Sequence, residues 1–167
     1  MKNPLNKIVY AMVGVLFDEQ GRVLLLKRQD LEIPEADRRW ELPGGSIEFG
    51  ETASECLIRE FREETGFLVE VIRMIDFVWS NIWENPKLGI KEQAILFPFL
   101  CFKKSGKLYT SDQEIIESGW FFPNELLRVD LLPGTQEIVN YSLKYVNPKN
   151  RDVSKGGFLK NVRNQGL

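Results

Sequence analysis

Glu60, Glu63 and Glu64 stand at i, i+3 and i+4 within residues 45–67, GSIEFGETASECLIREFREETGF. On a helix these three project from one face within about one turn. They also sit beside Gly66, which reads as the helix end, where the negative pole of the macrodipole repels carboxylates. A helix built only for stability places lysine or arginine there. Three like charges in that position call for a counter-charge, and a hard divalent cation with oxygen ligands is the natural one. Spacing alone leaves a second reading open, in which the charges cluster on a solvated face.

The chain has no histidine. That absence excludes Ser-His-Asp triads, Cys-His dyads, histidine acid–base catalysis and the usual zinc sites. Chemistry must then rest on carboxylates, lysine, arginine, backbone groups and metal. The 167 residues fit one domain with a real core, and 43% hydrophobic with 28% charged residues are ordinary for a soluble globular protein. A net charge of -2 gives no sign of a nucleic-acid or membrane surface. Cys56 and Cys101 make no disulfide framework and point to a reducing cytoplasm. No signal-peptide-like or membrane-spanning apolar run is present, so no membrane or stable nucleic-acid partner is expected.

The elements that must position the glutamates follow from periodicity. Residues 7–17 and 22–28 are apolar and β-branched, and the turn at 18–21 makes the pair read as a β-hairpin. A polar loop at 29–39 leads to an extended piece, Trp40 to Gly45, closed by Pro43-Gly44-Gly45. Thr52 with Glu55 forms a capping box that opens the helix, and Gly66 caps its C-terminus. Residues 67–79 and 94–102 read as strands, joined by a long loop at 80–93 of the kind that is often functional. Residues 115–122 read as another strand, and 125–127 with 135–145 as helix. Strands, a helix, then strands and a helix indicate a mixed α/β domain.

On a helical wheel Leu57, Ile58 and Phe61 take a neighbouring arc that can face the core. Ala53 and Cys56 share the carboxylate side and are small, which lets the Gly44-Gly45 turn come close enough for a backbone carbonyl to join a ligand set. Arg59 flanks Glu63 and could orient that carboxylate or Glu51 by a charge-assisted hydrogen bond.

With these residues in view, the segment resembles the Nudix box, G-x5-E-x7-R-E-U-x-E-E-x-G-U with U bulky and apolar. Gly45, Glu51, Arg59, Glu60, Phe61, Glu63, Glu64, Gly66 and Phe67 match every fixed position. Trp40, Pro43 and Gly44 upstream, and Glu114, Trp120, Phe121, Glu125 and Leu126 downstream, resemble the flanking patterns, so the likeness spans roughly 7–145. It implies a Nudix domain at 1–147, with a polar basic tail at 148–167. The implied fold is an α/β/α sandwich around a mixed β-sheet, and the implied activity is hydrolysis of a nucleoside diphosphate linked to another moiety, such as a nucleoside triphosphate or ADP-ribose. The implied cofactor is Mg2+, with Mn2+ as a substitute. By position, Glu60 and Glu64 are implied as principal metal ligands, Glu63 as a third ligand or base, and the Gly44 carbonyl as a backbone ligand. Arg59 and Glu51 are implied as orienting residues. The family does not place its general base uniformly, so Glu92, Glu114 and Glu117 remain candidates beside Glu63.

For the nucleotide-type substrate, Trp83, Trp40 and Trp79 are stacking candidates against the alternative of core packing. Arg28, Lys27 and Lys91 are candidate phosphate contacts against the alternative of solvated strand ends. Arg28, Trp40 and Trp83 are the preferred substrate contacts. The tail is expected to be solvated, with homodimer packing or an anionic partner as alternatives. The competing function is a Nudix-fold module that senses a nucleotide without hydrolysing it.

Overall fold

The computed structural model describes residues 5–85 and 87–146. The expected boundary at 147 and the basic tail lie outside the described residues. Helix α1 (Ala53–Thr65) starts as its sequence dictates. Thr52 Oγ1 accepts the Glu55 N–H at 3.3 Å, and the Glu55 carboxylate accepts the Thr52 N–H at 2.9 Å. Gly66 closes it with φ 70° and donates to the Arg62 carbonyl at 3.1 Å. Two further end carbonyls are also satisfied: Glu63 O accepts the Ser111 N–H and hydroxyl, and Thr65 O accepts the Tyr109 N–H.

Two sheets carry the rest. The five-stranded sheet holds β1 (Leu5–Leu16), β4 (Gly44–Ser46), β5 (Leu68–Met74), β6 (Trp79–Asn85) and β7 (Ile90–Ser105). Its centre is the parallel pair β1–β7, with β4 antiparallel on the free side of β1. β5 and β6 pair antiparallel with successive stretches of β7. The smaller sheet has order β3-β2-β8, from β2 (Val23–Arg28), β3 (Trp40–Glu41) and β8 (Ile115–Phe121).

Alternation along β1 builds the layers. Met12 and Leu16 pack into a core with Cys56, Leu57 and Phe61 of α1. Val13 and Val15, followed by Phe17, pack into a second core with Ile138 and Val139 of α2 (Thr135–Ser142). Helices thus cover opposite faces of a mixed sheet, the expected α/β/α sandwich. Leu57 and Phe61 are fully buried, each contributing about 1.5–3 kcal/mol, which fixes the face that α1 turns inward. No helix among the described residues is long and apolar enough to cross a membrane.

Four local expectations need correction. β1 and β2 do not pair as a hairpin but enter different sheets, with a Phe17–Val23 bridge and an Asp18 N–H to Arg22 carbonyl bond at the turn between them. The cause is that β2 is apolar on both faces: Leu24 feeds the α1 core while Val23 and Leu25 feed the α2 core. The expected strand 67–79 breaks at 75–78, where Ile75 donates to Pro98 O and Phe77 turns back to Ile75 O at 2.7 Å. The expected loop 80–93 is instead a hairpin of β6 and the start of β7, with Trp83 opposite Glu92 and Glu84 salt-bridged to Lys91 at 2.6 Å. Its polar outer positions hide the alternation that one buried face requires. Finally, residues 126–128 and 143–145 are single 3₁₀ turns rather than α-helix.

Gly14 lies where β1 passes under α1. An added Cβ would sit 2.7 Å from Phe61 Cζ and 3.1 Å from Cys101 Sγ. Gly14→Ala is therefore expected to cost about 1–3 kcal/mol by overpacking, read as a lower urea midpoint with unchanged slope. A loss below about 0.5 kcal/mol would show that Phe61 yields freely, contrary to this packing.

Candidate active site

The site is organised by two arginines, each facing three carboxylates. Arg59 donates from Nε to Glu51 at 2.7 Å and from Nη1 to Glu60 at 2.7 Å, and its Nη1 lies 3.4 Å from Glu63. Its Nη2 adds a bond to Glu51 at 3.0 Å, so that contact is bidentate. Arg28, at the end of β2, donates from Nη2 to Glu64 at 2.6 Å, and its Nη1 lies 3.4 Å from Glu114. Its Nε lies 2.8 Å from Glu41 Oε1, but off the line of a hydrogen bond, so both buried atoms have only an ionic contact. Glu60 and Glu64 are each drawn to their arginine from the same face of α1.

The Pro43-Gly44-Gly45 turn reaches α1 closely because side chains are absent. Gly44 has φ 143°, and a Cβ there would meet the Val13 backbone at 2.8 Å. A Cβ on Gly45 would lie 2.7 Å from the Glu60 carboxyl carbon. That approach lets the Gly44 N–H donate to Glu64 Oε2 at 2.8 Å. The small Cys56 shares this side, its Sγ 3.6 Å from the Gly45 carbonyl.

The carboxylates divide by environment. Burial pushes Glu64 well above the ordinary carboxylate range, and Glu41 and Glu60 add to the push against the pull of Arg28 and Gly44. Burial also raises Glu60, opposed by Arg59 and aided by Glu63. Glu41 is raised by burial against Arg28. Hydrogen bonds from Arg59, then from the Glu48 backbone, hold Glu51 down at about 2. Burial tends to lower Arg28, but Glu41, Glu64 and Glu114 together outweigh it and hold the guanidinium charged.

A cavity of about 200 Å³ opens beside this cluster. Arg28, Glu41, Gly44 and Gly45 form its wall toward the carboxylates, and Trp83, Ile33, Leu132 and Ile138 form apolar wall. Asp30, Glu92 and Thr135 supply polar groups. Trp83, expected in a polar loop, is 7% exposed and lines this cavity from β6. Trp40 does not line it: its ring meets Phe121 edge-on at 4.8 Å, with Lys27 Nζ 5.6 Å away. Trp79 packs into the α2 core, and Lys91 is held by Glu84. Glu92 lines the cavity and pairs with Lys7 at 3.3 Å, whereas Glu117 pairs with Lys27 on the other sheet. Glu63 keeps a half-exposed carboxylate. Glu41, Asp30 and Ile33 are site residues to which sequence reasoning assigns no role. Of these Glu41 carries a usable signal, an acid placed two residues before Pro43-Gly44.

Among the described residues, no three acids already converge as a closed metal cage. Mg2+ needs no such cage, because it keeps several waters and takes one or two carboxylates plus substrate oxygens. An all-oxygen donor set, with six carboxylates against two arginines, fits that demand. Glu60 and Glu64, four residues apart on α1, are two acids of this set that could hold such an ion.

The family profile described as NUDIX domain matches residues 7–141. The chain belongs to this family. A MutT-like protein of Streptomyces ambofaciens is 32% identical over 123 residues, covering 74% of this Nudix chain and 68% of its own. An RNA pyrophosphohydrolase of Dinoroseobacter shibae is 31% identical over 125 residues, covering 68% and 76%. The Nudix domain of Shewanella oneidensis NrtR, solved with ADP ribose, shares the fold at TM-score 0.63 and 17% identity, covering 81% of this chain and 86% of that one.

The Glu51–Arg59 pair gives this Nudix domain an acid-sensitive joint. Because Glu51 is depressed when folded, its contribution is present above the ordinary carboxylate pKa of 4.5 and is lost as pH falls toward about 2. Metal-free Glu51→Gln is therefore expected to melt below the native protein at pH 6, and the two midpoints to converge as pH drops from about 4.5 to 2 in a thermal scan series. A constant gap across that window would remove the linkage.

Proposed function

We propose that the protein is a Mg2+-dependent pyrophosphohydrolase that cleaves a nucleoside diphosphate linked to another moiety. The single observation behind this reading is the excess of carboxylates on the α1 face, held open beside a cavity with an aromatic wall. Family membership and similarity to a protein named as an RNA pyrophosphohydrolase support it.

The division of labour follows from the contacts. Glu60 and Glu64 would hold the metal, each already aimed by an arginine, and the Gly44 carbonyl is proposed as a backbone ligand beside them. The metal, when bound, neutralises diphosphate oxygens and lowers the pKa of an attacking water. Arg59 and Glu51 keep Glu60 from turning into solvent. Glu63, half-exposed and loosely tied to Arg59, is the carboxylate free to accept a proton from that water. The apolar wall of Trp83, Ile33 and Leu132 would take the nucleoside, with Asp30 and Glu92 as acceptors for its donor groups. Free, buried Cys56 and Cys101 suit a reducing compartment, and we place the enzyme in the cytoplasm.

The decisive experiment is a Mg2+-supplemented panel of nucleoside triphosphates, ADP-ribose and nucleoside-diphosphate sugars with products identified. Pyrophosphate with a monophosphate marks the first class, and AMP with ribose 5-phosphate the second. Glu64→Gln and Glu60→Gln should each lower turnover by more than the roughly 10–100-fold typical of outer partners, with the fold retained by circular dichroism. Unchanged turnover in both would sink the metal assignment, and tight binding with no turnover would replace hydrolysis by nucleotide sensing.

A further inference from the structure

Arg28 lies outside the segment that carries the Nudix pattern, and a cation at a strand end beside a cavity invites the role of a phosphate contact. Its surroundings argue otherwise. Each of its three nitrogens faces a carboxylate: Nη2 toward Glu64, Nε toward Glu41 and Nη1 toward Glu114. Those acids come from α1, from β3 and from the segment before β8. A phosphate approaching this guanidinium would displace one acid and meet the repulsion of the others, with Asp112 also near.

We propose instead that Arg28 is a positioning residue that holds the Glu64 carboxylate for metal binding. Glu64 is 1% exposed, so its buried oxygens need fixed hydrogen-bond partners. It has two, arriving from different elements. Arg28 binds Oε1 at 2.6 Å and the Gly44 N–H binds Oε2 at 2.8 Å. Two donors on two oxygens fix the plane of the group, and each oxygen keeps a second lone pair for a cation. Arg59 does the same for Glu60 at 2.7 Å. The two proposed ligands thus have one arginine each, and Glu41 and Glu114 hold the Arg28 head in place against the repulsion of a bound cation. Outer partners of this kind set metal affinity.

The inference rests on the metal reading above, and the test separates the two. Mn2+ binding is measured without substrate, by the loss of the free-ion EPR signal, for wild-type protein, Arg28→Lys and Arg28→Gln. Kinetics at saturating Mg2+ are measured beside it. Positioning predicts Mn2+ affinity roughly 10–100-fold weaker in the lysine variant and weaker again in the glutamine variant, with KM within about twofold at saturating metal. Unchanged Mn2+ affinity overturns the proposal, and unchanged affinity with a raised KM makes Arg28 a substrate contact instead. No Mn2+ binding by wild-type protein overturns the metal reading and this proposal with it. Should neither variant fold, the Arg28 Nε signal of wild-type protein decides by NMR. It should shift on adding metal alone and stay in place on adding nucleotide in EDTA, and the reverse pattern overturns the role.

Discussion

Two arginines face six carboxylates across the seam between α1 and its neighbouring strands, and the rest of the structure is arranged around that imbalance. With all six acids ionised the cluster keeps four uncompensated negative charges. An isolated buried carboxylate would protonate rather than stay charged in a low dielectric. Arginine contacts, a backbone N–H from Gly44 and the partial exposure of Glu63 and Glu114 offset part of that cost, and burial still raises Glu64, Glu60 and Glu41. Residual negative charge on an all-oxygen donor set is what a hard divalent cation would offset.

That arrangement depends on close approach. Gly44 and Gly45 bring the turn onto α1 only because neither has a side chain, and Gly14 admits Phe61 to the sheet on the other flank of the helix. α1 is therefore located from both sides, by a core contact and by a backbone contact, and its carboxylate face has little freedom to drift. The opposing shifts of Glu51 and Glu64 follow from the same geometry. One acid sits at the surface in an arginine fork and is held ionised, while the other sits at the bottom of the seam, where charge is costly.

The local signals are legible where they are short-range. Thr52, Glu55 and Gly66 mark the helix ends without help from the rest of the fold, and the i, i+3, i+4 spacing of the glutamates fixes their common face. What the sequence conceals is partnership at a distance. Arg28 reads as a strand-end cation, yet three acids from 13, 36 and 86 positions away claim it. Trp40, before the Gly-rich turn, and Trp83, in an expected loop, are alike as stacking candidates, but Phe121 on β8 claims the first for packing while pairing with β7 puts the second on the cavity wall. The hairpin at residues 79–96 is hidden because only one of its faces is buried and its outer face carries Glu84, Lys91 and Gln93. A strand pair of that kind shows in pairing rather than in composition.

The presence of strands rather than a loop at residues 80–93 changes how substrate selection can work. A long loop would select by closing, at the cost of ordering its own backbone on each binding event. Here Trp83 and Glu92 are directly paired across β6 and β7, and Asn85 reaches back to the Glu32 carbonyl, tying the hairpin to the segment that bears Asp30 and Ile33. The cavity wall is thus prepaid in the folding of the sheet. Discrimination must then come from fixed shape and from the acidic lining, which favours a moiety offering hydrogen-bond donors and disfavours one presenting further negative charge on that side. Under the proposed function the diphosphate would lie toward Glu60 and Glu64, and the nucleoside toward Trp83.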